Sequence, residues 1–125
     1  MNWLILGAGL LAGFTSLVHL LAGEKTVVRP FLAVPMDVTL QRTLHACWHL
    51  VTVFLVASAG VLVYAAFADT VGMRPLVRFI AINYLLFGGV FLLLTLFVQW
   101  DKRWKRLPQW TLLIPVGRLA LWGTA

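Results

Sequence analysis

Apolar positions in this chain run in long blocks, and polar residues are gathered into short stretches between them. The blocks cover residues 4–22, 43–67, 76–98 and 109–124. Crossing about 30 Å of hydrocarbon takes about 20 predominantly apolar residues in a helix, so the pattern predicts four spanning helices. The fourth is the shortest and contains Pro115 and Arg118. The fold class expected is all-α, an integral membrane four-helix bundle forming one domain over residues 1–125 with little mass left for a soluble part.

The span ends carry their own signals. Gly23 closes the first block, Pro75 and Pro108 come just before the third and fourth, and Trp3, Trp100, Trp104, Trp110 and Trp122 stand where aromatic anchors prefer to lie. The link 23–42, GEKTVVRPFLAVPMDVTLQR, is long and still apolar, and Pro30 and Pro35 argue against a continuous helix through it. It is expected to lie along the interface or to dip into the bundle.

Composition agrees with this class: 62% of residues are hydrophobic and 11% are charged, against about 45–50% apolar content in soluble domains. Charge then sets an orientation. The link 23–42 carries Lys25, Arg29 and Arg42, and the link 99–108 carries Lys102, Arg103, Lys105 and Arg106. The link around 68–78 has only Arg74 and Arg78. The positive-inside tendency predicts that the first and third links are cytoplasmic and both termini lie on the far side of the cell inner membrane. The net charge of +6 is then read as contact with anionic headgroups. Nucleic-acid binding is not expected, since even the basic, aromatic WDKRWKRLPQW lies between two spans. A cleaved signal peptide is not expected either, because no Lys or Arg precedes the first block and that block is too long.

ILGAGLLAG, residues 5–13, resembles a dinucleotide fingerprint in its Gly7-x-Gly9-x-x-Ala12 spacing, but that fingerprint needs a strand, a turn and a helix. Inside a spanning helix, Gly9, Ala12, Gly13 and Ser16 instead make a small-residue face for helix packing. Residues 57–60, ending in Gly60, and the pair Gly88 and Gly89 are expected to serve in the same way.

Polar groups inside apolar helices are costly and usually face the bundle interior or water. Here they are His19, Arg42, His45, His49, Asn83 and Arg118. At about 100° per residue, Arg42, His45 and His49 form one stripe, and His19 lies at the edge of the Gly9 face at a comparable depth. His19, His45 and His49, with Glu24 as a fourth group, are suitable ligands for a b-type haem or a transition metal. Equally, histidines near a helix end can bond to carbonyls or water, and Glu24 with Lys25 can be a solvated pair. Asn83 is expected to bond across helices, and Arg118 to reach the far interface or to pair with a partner's carboxylate. Cys47 is the single cysteine and points away from the histidine stripe, which excludes a disulfide pair and disfavours a Cys/His nucleophile.

HLLAGEK followed by VRPFL, then Arg42 and CWH, resembles a group of small bacterial four-span membrane proteins of uncharacterised function. The matching positions are His19, Gly23, Glu24, Arg29, Pro30, Trp48 and His49, mainly in the first half of the chain. The resemblance implies a four-helix fold and a shared site for His19, Glu24 and His49; His45 lies outside the pattern. Small multidrug transporters resemble the chain only in length and span count, because their first span carries a glutamate that this one lacks. A small transporter would have to work through His19, His49 or Arg118.

No acidic residue lies inside the four blocks, and no Ser, His and Asp set can be assembled, so catalysis by this chain alone is not expected. The reading adopted is an accessory or structural subunit packing in the lipid bilayer against other membrane subunits or against itself. The rival is a haem- or metal-binding protein built on the histidine cluster.

Overall fold

In the computed structural model, which describes residues 1–68, 70–97, 105 and 108–125, the regular structure is helical. Helix α1 runs Trp3–Gly23 and passes through a π-helical turn, Glu24–Val28, into the short α2, Arg29–Leu32. Helix α3 is Val38–Phe67, α4 is Thr70–Phe97 and α5 is Trp110–Trp122. Three continuous helical stretches, Trp3–Leu32, Val38–Phe67 and Val71–Phe97, are long and apolar enough to cross a membrane. The fourth helix, α5, has 13 residues and rises about 20 Å, too little to cross about 30 Å unaided.

The ends differ from the sequence expectation where prolines were read as breaks. Gly23 does not end the first helix, and Pro30 does not interrupt it. The Arg29 amide donates to the Glu24 carbonyl five residues back. That wider turn makes room near the proline ring, which would otherwise press on the preceding turn. The chain leaves the helix only at 33–37, where Asp37 caps α3 by accepting from the Leu40 amide at 3.0 Å. α3 therefore starts five residues earlier than the apolar block does. Pro75 likewise lies inside α4, near its start, instead of ahead of it. Val98, Trp100, Lys102, Arg103, Trp104 and Arg106 lie outside the described residues.

Helices α1, α3, α4 and α5 form a ring in which α1 packs on α3, α3 on α4, α4 on α5 and α5 back on α1. The α3–α4 side is the slightest of the four. Asn2 closes the end of the ring that holds both termini. Its amide donates to the Ala66 carbonyl at 2.8 Å, its side chain donates to the Gly123 carbonyl at 2.7 Å, and its Oδ1 accepts from Leu4 and Ile5. Arg78 adds bonds to Thr124 Oγ1 at 3.2 Å and to the Thr124 carbonyl at 3.0 Å. The fully buried apolar side chains cluster in this half of the molecule: Ile5 and Ala8 on α1, Leu62 and Ala66 on α3, Val77 and Ala81 on α4, and Val116 and Ala120 on α5.

Close approach depends on glycines at two of the sides. A Cβ on Gly9 would stand 2.9 Å from the Val63 nitrogen, and one on Gly117 would stand 2.8 Å from the Ala81 carbonyl oxygen. Gly88 meets Ile114 across the α4–α5 contact in the same way, whereas Gly13, Gly60 and Gly89 have open space where a side chain would be. Of the small residues singled out in sequence, Gly9, Ala12, Ser16, Ser58, Ala59 and Gly88 therefore face a packing partner or the buried interior. On α1 the packed seam is Gly9, Ala12, Ser16, His19 and Gly23, alternating steps of three and four, which is the spacing of a left-handed supercoil.

Candidate functional site

At the end opposite the termini, the α1 seam continues past the core into His19 and Gly23, and the α3 seam, traced backwards from Ala66, Leu62, Ala59 and Leu55, reaches Thr52 and Trp48. These four residues meet. The His19 and Trp48 rings stack with centroids 3.9 Å apart and planes 17° from parallel. Gly23 leaves the space that the far edge of the indole occupies, since a Cβ there would strike the Trp48 ring. His19 Nε2 lies 3.0 Å from Thr52 Oγ1. The Thr52 hydroxyl spends its one proton on the Trp48 carbonyl at 3.1 Å, so in this contact the imidazole donates and the hydroxyl accepts. The remaining lone pair of a neutral His19 is then on Nδ1.

The other predicted ligands do not join it. His49 follows Trp48 by one residue, about 100° round the helix, and is exposed; its ring pairs with that of half-buried His45, centroids 4.7 Å apart. Glu24 stands 3.8 Å from Arg29 Nε across the π-turn, with both side chains substantially exposed. Among the described residues, no three of His, Cys, Asp and Glu are gathered closely enough to hold a metal ion. The structure therefore divides the four proposed ligands among three places, with His19 the one that faces the interior. Arg42 is exposed, and so is the free thiol of Cys47.

Two further polar groups take unexpected partners. Asn83 donates to the Phe79 carbonyl of its own helix at 2.8 Å, not across to a neighbour. The reason is local: on an apolar helix the nearest acceptor is the carbonyl one turn back, as Thr15, Ser16 and Thr95 also find. The guanidinium of Arg118 lies over the Trp122 ring, 4.8 Å from its centroid, and is exposed. The cross-helix polar contact on the α3–α4 side is instead made by Tyr84, fully buried, whose hydroxyl lies 2.9 Å from Ser58 Oγ. Phe54 packs edge-on against Phe87 beside it.

On the side of this contact away from the termini the ring is hollow. A cavity of about 870 Å³ lies between α1, α3, α4 and α5 on the side away from the termini. Its floor is made by buried Thr15, Leu55 and Leu113, and the His19–Trp48 stack forms part of its wall. Val51 on α3 and Val90 on α4 line it and are exposed, and exposed Lys105 and half-buried Gln109 line it as well. Gln109 Oε1 is buried and has no hydrogen-bond partner among the described residues. Trp48 also lines a separate small hollow of about 250 Å³ against Val28 and Phe31. Trp48 and Val27 thus line both spaces.

No family model matches the chain, and comparison with characterised proteins and with solved structures finds no match.

Proposed function

We propose that the chain is a four-span protein of a cell inner membrane whose role is to pack against other membrane helices, as an accessory subunit or as a homo-oligomer. The observation that carries this reading is the outward-facing small-residue face of α3, where Ala57 and Gly60 are exposed and nothing lies within 4 Å of the place a Gly60 side chain would take. Small residues let helix backbones approach closely, the main source of attraction between helices where lipid tails are as apolar as leucine. The polar side chains within the helices support it as well, since His19, Ser58, Arg78, Asn83 and Tyr84 all bond inside the chain and so stand as parts of its own architecture.

In this reading Lys25, Arg29, Arg42 and Lys105 lie at the cytoplasmic face, and Arg74, Arg78 and Arg118 lie at the opposite one with both termini. The short α5 reaches across by the snorkelling of Arg118 beside Trp122 and by local thinning of the bilayer.

The test is disulfide cross-linking of Gly60→Cys in a Cys47→Ser background, in native membranes. A discrete cross-linked product, lost when Ala57→Leu is added, is the expected result. Monomer alone, together with a Soret band or stoichiometric metal that disappears in His19→Ala and His49→Ala, would replace this reading with the cofactor-binding one.

A further inference from the structure

The cavity between the four helices is larger than packing needs and is built asymmetrically. At about 870 Å³, this open cavity falls in the roughly 300–1,000 Å³ range of small-molecule sites. From Gly23 down to Thr15 its wall descends eight residues of α1, about 12 Å. Apolar side chains such as Leu55, Val51, Phe87 and Val90 make up most of that wall. Polar groups sit towards the outer end, where Lys105 offers a cation, Gln109 an acceptor and Thr111 a hydroxyl. Val51 on α3 and Val90 on α4 carry the lining to the exposed surface on one side, and exposed Lys105 does so at the outer end.

From this geometry we propose that the cavity is a binding site for one acyl chain that ends in an anionic head group, the chain entering between α3 and α4 and the head group resting at Lys105. The proposal rests on the membrane-embedded reading above, which puts Lys105 at headgroup depth and the exposed Val51 and Val90 against lipid tails. A water-filled pocket would need more polar walls. His19 is the one imidazole on the lining, and it is already engaged by Trp48 and Thr52. Because lipid tails are as apolar as the cavity floor, the walls contribute fit and little driving force. Selection falls to the rim, where one surface cation is worth about 1 kcal/mol, or about fivefold in affinity.

The experiment uses the full-length chain in mild detergent and the fluorescence of Trp48, which stands in the cavity wall. Brominated-chain phosphatidylglycerol is the anionic probe, brominated phosphatidylcholine the neutral control, and brominated oleate the free anionic chain. The expected result is quenching about fivefold more effective for the anionic probes than for phosphatidylcholine. That preference is lost in Lys105→Gln, and the quenching itself falls in Trp48→Phe and in the mouth-filling variants Ala22→Phe and Val51→Phe. The oleate arm reports whether the chain belongs to a free acid or to a phospholipid, and preferential quenching by either supports the site. Equal quenching by all three probes would overturn the proposal, as would an anionic preference that survives in whichever mouth-filling variant remains folded. A protein that never partitions into membranes fails the underlying reading instead, and is recognised before any probe is added.

Discussion

His19 is held by two contacts of different kinds, the Trp48 ring at 3.9 Å and the Thr52 hydroxyl at 3.0 Å. Replacing Thr52 with valine keeps the shape and removes the acceptor. Helix-to-helix hydrogen bonds of this kind average about 0.6 kcal/mol in double-mutant cycles, and a His19→Ala and Thr52→Val cycle is expected to give a coupling of that size by SDS titration in mild detergent. Trp48→Ala takes away more. It unstacks His19, enlarges the two spaces that Trp48 lines and leaves Gly23 facing a void, so a loss of about 2–3 kcal/mol is expected, short of the roughly 3–5 kcal/mol for a fully buried aromatic. The α3 seam could be traced in sequence by stepping three and four residues back from Ala66, which arrives at Thr52 and Trp48 and passes His49 by. An i, i+4 histidine pair is a more conspicuous pattern than a threonine in register, and it points at the wrong side of the helix.

At the scale of the element, two glycines four residues apart on α1 have opposite roles. Gly9 lies against the backbone of α3, whereas Gly13 has no neighbour within 4 Å of a side-chain position. Gly9→Ala is expected to cost about 1–3 kcal/mol by forcing the helices apart. Gly13→Ala is expected to be neutral or to stabilise by up to about 1 kcal/mol through helix propensity. The same denaturation series reads both signs. The helix caps separate in a similar way. Asp37 caps α3 and is exposed, so Asp37→Ala is expected to cost about 1 kcal/mol. Asn2→Ala is expected to cost more, because the same side chain also ties the end of α5 through Gly123. Asn2→Asp, which keeps the cap and loses the amide donor, is expected to fall between the two.

The whole molecule is tight at one end and hollow at the other. The core residues and the Asn2 and Arg78 contacts gather around the termini, while the cavity and the His19–Trp48 stack occupy the opposite half. Hydrogen exchange in detergent is therefore expected to be slower around Leu62 and Ala81 than in residues 19–32, where the turn at 24–28 and the cavity leave the backbone with less packing. Orientation has a direct check in the Cys47→Ser background. A membrane-impermeant maleimide is expected to label Ala125→Cys in intact cells and Lys25→Cys only after permeabilisation. The reverse pattern would invert the arrangement proposed from charge.

The sequence by itself determined that the chain is helical, that its helices are apolar enough to cross a membrane, and where its cations lie, because these follow from composition and block length along one dimension. It also marked His19 as one of six polar groups to explain, beside Arg42, His45, His49, Asn83 and Arg118. What only the tertiary structure decided is which face of each helix meets which neighbour. That choice depends on interlocking seams: the same small-residue pattern packs at Gly9 and faces outwards at Gly13, and a proline that would break an isolated helix is carried through by a π-turn. It also set Trp48, not His49, against His19, since a shift of about 100° along the helix moves a side chain from the seam to the outside.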